Sequence, residues 1–457
     1  LDSFPGAVQV DDLSARLAAP APALAGYGGI TYHPSIRRAA RLWPHIYSTA
    51  GFFAARLTKL TSVRGRTEPP PARPLEKAGY FAVPDRERQE IAQLCSSFSD
   101  WRLFTDLAIR HGVAALAWQN LTDLGLDDRV SEPERLILEG IRLKSIARVT
   151  YITNAAAEII TTLEKAGIRA LLLKGLALEH AVYGSRGLRQ MSDADLLVAP
   201  EEIFRARDVL ASAGFVSQPM KSPLFRHIIL DLGNHLPEMH RGGMSVDLHH
   251  RLFGSKGMEL VRKAIENPAL IKADSRTFNV LPPQTAFLGL VNHIFKHEIK
   301  GEFQLRLYTD VFLLIEKYRD EIFTDSLESN GAGAGILSEV RIVLTILEQA
   351  YSLEMPAIFH AATESEKERV YAFMEKLRQP GSIIPQSPRN KYFELIGSLP
   401  GLRRKLVFIT GDIFPSVDFM KRRYGCQSAA CALMMYPHRM GKAIWIFTLL
   451  LSKIRGK

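Results

Sequence analysis

The chain has 457 residues, of which 47% are hydrophobic and 23% charged, a balance typical of a soluble globular protein. This length excludes a single ordinary domain and predicts about two to four units. The net charge of +10 favours anionic partners such as nucleotides, nucleic acid or an acidic membrane surface. The most apolar run, residues 443–451, is far shorter than the roughly 20 residues of a transmembrane helix.

The three cysteines, Cys95, Cys426 and Cys431, lack the spacing of a zinc site or of a disulfide framework. A few unpatterned thiols, with no visible signal peptide at the N-terminus, are typical of the reducing cytoplasm. The sequence therefore predicts a cytoplasmic location.

Charge and Pro/Gly content divide the chain into six predicted segments. Residues 1–60 are basic and Ala-rich, and residues 61–84 contain three consecutive prolines, which predicts an exposed linker. Residues 85–165 carry apolar residues at helical spacing. The remaining predicted segments are a core with strands at 166–255, a helical domain at 256–379 and a basic amphipathic tail at 380–457.

The core segment contains three short predicted strands. Residues 169–173 are a buried apolar run, residues 193–198 begin with alternating acidic and apolar residues, and residues 245–249 follow the same pattern. These elements predict an α+β fold, a small mixed sheet flanked by mostly helical N- and C-terminal segments. Helices are predicted at residues 176–183, 200–213, 284–297 and 305–318.

Two aspartates, Asp193 and Asp195, stand two positions apart on the second predicted strand, so their carboxylates point to one face. Mg²⁺ prefers hard oxygen ligands, and metal ions neutralise phosphate charge during phosphoryl and nucleotidyl transfer. Asp247, on a neighbouring predicted strand, is the candidate for a third carboxylate. The spacing predicts a site for Mg²⁺, with Mn²⁺ as the alternative, and assigns these three aspartates both a catalytic and a metal-binding role.

Four residues before or beside the aspartates are predicted to bind the nucleotide. Gly175 follows the first predicted strand, where a glycine lets a phosphate approach the backbone and a helix N-terminus. Lys174 and Arg189 offer the positive charge that a triphosphate needs, and Ser192 directly precedes the first aspartate.

At this point a family resemblance is visible. Residues 171–178 and 188–198, with Tyr183 between them, resemble an uncharacterised bacterial nucleotidyltransferase family of the polymerase-beta-like superfamily. Weaker similarity extends the resemblance over about residues 90–450. It implies a polymerase-beta-like fold for residues 166–255. The further similar stretches are residues 101–121, 246–252, 305–311 and 414–425.

The resemblance implies an enzyme that transfers a nucleotide from an NTP to an acceptor, with a metal ion and with release of pyrophosphate. The acceptor stays open among an RNA end, a peptide, a sugar and a small metabolite. One departure concerns the Gly-Ser pair that the superfamily has close before its first aspartate. Here Gly175 is followed by Leu176, and Gly184 with Ser185 is a rival for that role.

Three other functions are open at this stage. A more distant resemblance to the nucleotidyltransferase toxins of bacterial antitoxin systems implies an enzyme that modifies tRNA or other RNA. A non-catalytic RNA-binding protein with a decayed site is the second. A sugar-nucleotide glycosyltransferase is the third, but that fold needs several parallel strands ahead of the Asp-x-Asp motif, where this sequence predicts helices.

Residues 1–60 resemble a different class of protein. His33, residues 41–45 and residues 49–56 are similar to the C-terminal end of Sun-type RNA cytosine-5 methyltransferases. The sequence has neither the cofactor-binding glycine loop nor the cysteine nucleophile motif of those enzymes. We therefore predict no methyltransferase activity.

Further polar residues have simpler interpretations. His249 shares a strand face with Asp247, which leaves a substrate-side role and a structural role open. Arg306 and Asp310 stand four apart on a predicted helix, the spacing of a helical ion pair, and the resemblance of residues 305–311 also leaves open a role bordering the nucleotide site.

The tail is strongly basic, with eleven Lys and Arg against two acidic residues over residues 401–457. Contact with nucleic acid, contact with a membrane surface and plain packing of an apolar face beneath solvated charges are all compatible with this composition.

Overall fold

A computed structural model describes residues 85–441 except 218–219, 274, 300–303, 352, 357–358, 362, 379–395 and 398, and the backbone of seven short strands before residue 60. The chain divides into two compact units, Leu1–Pro71 and Ala72–Lys457. The predicted linker at residues 61–84 lies outside the described residues, and the six-segment division stays a prediction.

The first unit contains short antiparallel strand pairs. The first strand pairs with the seventh, the third with the fourth, and the second, fifth and sixth form a three-stranded sheet. The other residues of this segment, including much of the stretch that resembles a methyltransferase tail, lie outside the described residues. The strands are β1 (Val8–Asp11), β2 (Ala21–Pro22), β3 (Gly26–Tyr27), β4 (Ile30–Thr31), β5 (Ala40–Leu42), β6 (Phe52–Ala54) and β7 (Arg56–Lys59).

The second unit begins with helices, as predicted for residues 85–165. The Asp100 carboxylate accepts the backbone N–H of Leu103 at 3.0 Å and so caps the second of them. The fourth helix is long, and its side chains Ile152 and Ile159 are buried against the sheet. These helices are α1 (Asp85–Ser97), α2 (Trp101–Arg110), α3 (Ala114–Asp123) and α4 (Glu132–Lys165).

A seven-stranded mixed sheet forms the centre of this unit, which confirms the predicted α+β fold class. Its order is β10-β11-β12-β9-β8-β14-β13, and only the β12–β9 and β14–β8 pairs are parallel. All three predicted strands are present, as β8, β9 and β12. The strands are β8 (Ala170–Leu173), β9 (Ala194–Val198), β10 (Val216–Ser217), β11 (Met239–Arg241), β12 (Met244–His249), β13 (Ala269–Ala273) and β14 (Arg276–Val280).

The two faces of the sheet pack against different helices. On β9, Ala194, Leu196 and Val198 join the core that contains α4, whereas Leu197 joins the core built by the C-terminal helices. Because side chains alternate along a strand, Asp195 lies on the same face as Leu197. The Asp195 carboxylate is therefore on the face of the sheet that the C-terminal helices cover.

Further helices follow among the described residues, and the last of them covers residues 429–441. Three of them, α9, α10 and α12, bury most of their apolar side chains in the core on the Asp195 face. No described helix is long and apolar enough to cross a membrane. The other helices are α5 (Lys174–Ala181), α6 (Ile203–Ser212), α7 (Ile229–Leu232), α8 (Met258–Glu266), α9 (Pro283–Ile299), α10 (Leu305–Ile322), α11 (Ser326–Ala334), α12 (Leu337–Tyr351), α13 (Glu364–Arg378), α14 (Gly401–Ile413) and α15 (Val417–Tyr424).

One prediction about the cysteines was wrong. Cys426 and Cys431, just after α15, are joined by a disulfide, whereas Cys95 is a buried free thiol. A pair separated by only five positions brings its sulfurs together through a local turn, and so short a spacing does not resemble a disulfide framework. The predicted cytoplasmic location, which relied on unpaired thiols, loses that support.

Candidate active site

The parallel pairing of β9 and β12 brings together two of the three predicted aspartates. Asp195 and Asp247 are direct register partners across the two strands. His249 lies two positions after Asp247 and therefore on the same face. The potential ligand atoms of Asp195, Asp247 and His249 all lie within 4.8 Å of one another. The sheet thus assembles a three-residue cluster from positions 54 apart in sequence.

Asp195 is the most tightly held residue of this cluster. Its Oδ1 accepts hydrogen bonds from Lys174 Nζ at 2.6 Å and from His249 Nε2 at 2.8 Å. Burial alone would raise the pKa of Asp195, but the Lys174 ammonium and the His249 hydrogen bond hold it well below its usual range. Asp195 is therefore an anion at any physiological pH.

Asp247 has the opposite character. Its Oδ1 is buried and makes no hydrogen bond to the described residues, and the nearest cation candidate, His235 Nδ1, is 4.0 Å away. Burial, with the neighbouring charges of Asp195 and Asp193, raises the pKa of Asp247 to about 6. A buried carboxylate oxygen without a donor costs free energy unless a cation or a proton satisfies it.

Asp193 lies immediately before β9 and is half-buried. Ser192 Oγ donates a weak hydrogen bond to its Oδ1 at 3.4 Å. Burial raises the pKa of Asp193, and the charge of Asp195 adds to this shift. The two aspartates therefore repel each other across one intervening residue, a cost that a bound cation would relieve.

Lys174 joins β8 to α5 in a strained conformation. Its φ of 45° lies in the left-handed region, where a residue with a Cβ costs about 1–3 kcal/mol. This conformation accompanies the placement of its ammonium 2.6 Å from Asp195 Oδ1. Strain of this kind concentrates at functional sites, and here it positions the cation that the sequence assigns to the phosphates.

Arg189, the other predicted phosphate contact, forms a buried ion pair with Asp310. Its Nε and Nη2 donate to both carboxylate oxygens of Asp310 at 2.8–3.2 Å. Burial alone would lower the pKa of Arg189, but Asp310 raises it above its usual range. Both side chains are buried, so this bidentate pair ties the loop before β9 to α10.

The Arg189–Asp310 ion pair also explains why position 175 is a glycine. A Cβ at this position would lie 2.6 Å from Arg189 Nη1, closer than a Cβ atom comes to a non-bonded atom in folded proteins. The missing side chain therefore admits the Arg189 guanidinium. The predicted phosphate-binding roles of Gly175, Arg189 and Ser192 stay predictions.

The helical ion pair predicted within α10 is not what the structure shows. Asp310 pairs with Arg189 instead, and it also accepts the Tyr183 hydroxyl at 2.8 Å. Arg306 donates to the Gln190 carbonyl at 2.6 Å and to the Gln304 side chain. Spacing along one helix cannot reveal a stronger partner that another loop brings into the core.

The Glu179 side chain holds the loop between α5 and β9 through hydrogen bonds to its backbone. This fully buried carboxylate accepts the backbone N–H groups of Gly187 and Arg189. Burial raises its pKa to about 6, although these backbone hydrogen bonds oppose the shift. Glu179 thus fixes the backbone of the same residue whose side chain binds Asp310.

The raised pKa of Glu179 predicts a pH-dependent stability. Because the folded protein holds this proton more tightly than a glutamate of ordinary pKa 4.5, the contribution is fully present below about pH 4.5 and is lost as pH rises through about 6. The loss is on the order of 2 kcal/mol in the free energy of unfolding. Urea denaturation between pH 4 and 8 measures it.

In Glu179→Gln this part of the pH dependence should disappear, and the protein should be less stable throughout, because the amide NH₂ faces a backbone donor. The exposed Glu201→Gln variant is the control and should follow the wild-type curve. Parallel wild-type and Glu179→Gln curves across this pH range would show that the Glu179 assignment is mistaken.

Comparison with known proteins bears on this site. The family described as uncharacterised nucleotidyltransferase matches residues 97–352. The chain belongs to this family. The match includes the strands that carry the aspartates as well as Asp310, and it confirms the central part of the resemblance predicted for residues 90–450. The family assignment therefore makes this protein an enzyme, a nucleotidyltransferase.

The other comparisons add little to this assignment. A structure of the antibiotic-resistance factor ANT(2'')-Ia is similar to the chain at 11% identity and a TM-score of 0.29, over 40% of this chain and 91% of that chain. No curated protein matches the sequence. The family match does not reach residues 1–60, so the methyltransferase-tail resemblance stays a prediction.

Sequence reasoning underestimated two residues of the site. His249 was expected to have either a substrate-side or a structural role, and it hydrogen-bonds Asp195 directly. Asp310 was assigned to a local pair. The only sequence signal for Asp310 was its place in the family-like stretch at residues 305–311, since 121 positions separate it from Arg189.

Proposed function

We propose that this nucleotidyltransferase moves an NMP from an NTP to an acceptor hydroxyl, with release of pyrophosphate, at a Mg²⁺ site formed by Asp193, Asp195 and Asp247. The observation that carries the proposal is the convergence of Asp195, Asp247 and His249, with ligand atoms within 4.8 Å, on the helix-covered face of the sheet.

The residues fit a divalent metal with oxygen ligands. Asp247 Oδ1 is a buried acceptor with no donor among the described residues, and burial together with the charge of Asp195 raises the pKa of Asp193. Three carboxylates suit Mg²⁺, and Mn²⁺ tolerates the additional nitrogen of His249. When bound, the metal would neutralise triphosphate charge and lower the barrier to attack.

The side chains divide the remaining work. Lys174, held 2.6 Å from Asp195, supplies positive charge beside the carboxylates for the triphosphate. His249 orients Asp195 through its hydrogen bond at 2.8 Å. Arg189 acts as a positioning residue, because its ion pair with Asp310 holds the loop that leads into Asp193.

Transfer requires that the acceptor hydroxyl lose its proton. The hydroxyl oxygen forms a bond to the α-phosphorus while the bond from that phosphorus to the bridging oxygen breaks. Pyrophosphate leaves with the electron pair. Asp247, on the strand beside Asp195, accepts the hydroxyl proton as the general base.

This assignment predicts effects of Asp247 on both metal binding and chemistry. Asp247→Asn should weaken Mg²⁺ binding, because it removes the charge of one metal ligand, and should lower kcat at saturating Mg²⁺ about 10²–10⁴-fold, the usual contribution of a general base. Binding of each of the four NTPs is measured by calorimetry with and without EDTA. Pyrophosphate release is measured with a cell extract as the source of acceptor.

Removal of the metal by EDTA should abolish both NTP binding and pyrophosphate release in the wild-type protein. The exposed Asp128→Asn variant is the matched control and should behave as wild type. NTP turnover that persists in EDTA would contradict the proposal, and so would an Asp247→Asn variant with the kcat of wild type.

A further inference from the structure

An apolar cavity of about 220 Å³ lies between the sheet and helices α5, α9 and α10. Strands β8, β13 and β14 form its floor, with Leu172, Leu173 and Val280 among its lining residues. Of the lining residues that the structure describes, only Lys174, Tyr318 and Glu321 are charged or carry a hydroxyl. A buried apolar cavity of about 150 Å³ is enough to bind benzene, so this space fits a group of one or two rings.

The cavity adjoins the cluster of carboxylates. Leu173, which lines it, is the direct antiparallel partner of Asp195. Partners of this kind project from the same face with Cβ atoms about 4.5–5.5 Å apart. Lys174 also lines the cavity, and its Nζ binds Asp195. Leu173 and Lys174 therefore connect the cavity with the carboxylates, which are not themselves among its lining residues.

We propose that the cavity binds the apolar part of the acceptor, and that the acceptor is a small molecule whose hydroxyl is carried on an aromatic or branched aliphatic group. This inference rests on the proposed nucleotidyl transfer and names the substrate class of that site. The step is the one given above: the oxygen–phosphorus bond forms, pyrophosphate leaves, and the proton passes to Asp247.

The nucleobase of the NTP is the main rival occupant, and the chemistry of the wall disfavours it. A nucleobase carries several ring and exocyclic donors and acceptors, each of which costs free energy when buried without a partner. The lining offers aliphatic side chains almost throughout. An RNA or peptide acceptor would likewise bring more polar backbone than this wall can satisfy.

Gly289 on α9 gives a direct way to fill the cavity. A Cβ at Gly289 would meet only Leu252 Cδ1, at an ordinary 3.8 Å, so a leucine side chain can enter the space. Replacement of a mid-helix glycine also favours the helix. Gly140→Leu is the matched control, because Gly140 lies inside α4, is exposed and has no atom within 4 Å of its added Cβ.

The first experiment measures the affinity of indole, a two-ring apolar probe, by calorimetry or ligand-observed NMR. Wild type and Gly140→Leu should bind indole equally, and Gly289→Leu should bind it at least tenfold more weakly. Ala286→Leu, also on the cavity wall, is the second filling variant and should give the same loss if Gly289→Leu does not fold. No indole binding by wild type, or equal binding by a folded filling variant, would overturn the proposal.

The second experiment assigns the occupant. In Gly289→Leu, affinity for Mg²⁺ and NTP should stay within twofold of wild type, while transfer of labelled nucleotide to small molecules of a cell extract should fall at least tenfold. Indole should inhibit the wild-type transfer. A parallel fall in NTP affinity would place the nucleobase in the cavity, and unchanged transfer would remove the acceptor from it; either outcome overturns the proposal.

These outcomes are separable from failure of the proposed function itself. If wild type binds indole but no NTP with metal, the nucleotidyl-transfer site is disproved while the cavity persists as an apolar binding site. If it binds NTP and metal but not indole, only the acceptor inference fails.

Discussion

Asp195→Asn should lower kcat for nucleotidyl transfer by about 10³-fold or more, because the neutral amide removes several kcal/mol of charge stabilisation from a metal-assisted reaction. The amide has the size of the carboxylate and still offers an oxygen to Lys174 and His249, so the fold should be kept. Pyrophosphate release at saturating Mg²⁺ and NTP measures the effect, and circular dichroism checks the fold.

The same substitution at an exposed aspartate gives the control. Asp208 on α6 pairs only with its neighbour Arg207 among the described residues, at 2.7 Å, and Asp208→Asn should keep wild-type turnover within about twofold. The metal affinity of Asp195→Asn, titrated with Mn²⁺, should fall in parallel with turnover. An Asp195→Asn enzyme that retains more than a tenth of wild-type turnover would remove Asp195 from the active site.

Asp310→Ala should lower the free energy of unfolding by about 3–5 kcal/mol, since it leaves the Arg189 guanidinium buried without its anion. The Tyr183 hydroxyl loses its acceptor as well, which adds to the cost. Urea denaturation followed by fluorescence measures the loss. Turnover should fall even where the variant stays folded, because the loop that leads into Asp193 is released.

Two further variants separate the buried pair from a general effect of mutation. Asp208→Asn breaks an exposed ion pair and should change stability by less than about 1 kcal/mol. The double variant Arg189→Met/Asp310→Leu replaces both charges with apolar side chains and should regain most of the lost stability. If Asp310→Ala costs less than about 1 kcal/mol, the pair does not anchor the loop.

The local sequence determined the elements that carry the chemistry. The apolar run of β8 and the alternation at Asp195 predicted strands that the structure contains. A buried strand has apolar residues at adjacent positions, and a strand with one polar face alternates every two residues, so both patterns are visible in the local sequence. The separation of Asp193 from Asp195, and the strand that carries Asp247, likewise needed no information beyond a few adjacent residues.

Only the tertiary structure decided which of these residues meet. The parallel pairing of β9 with β12 sets Asp247 opposite Asp195, and α10 brings Asp310 to Arg189 across 121 positions. The cavity beside Leu173 is likewise bounded by three strands and three helices. Periodicity records whether a side chain is buried, whereas its contact partner depends on strand order and helix packing, which no local pattern encodes.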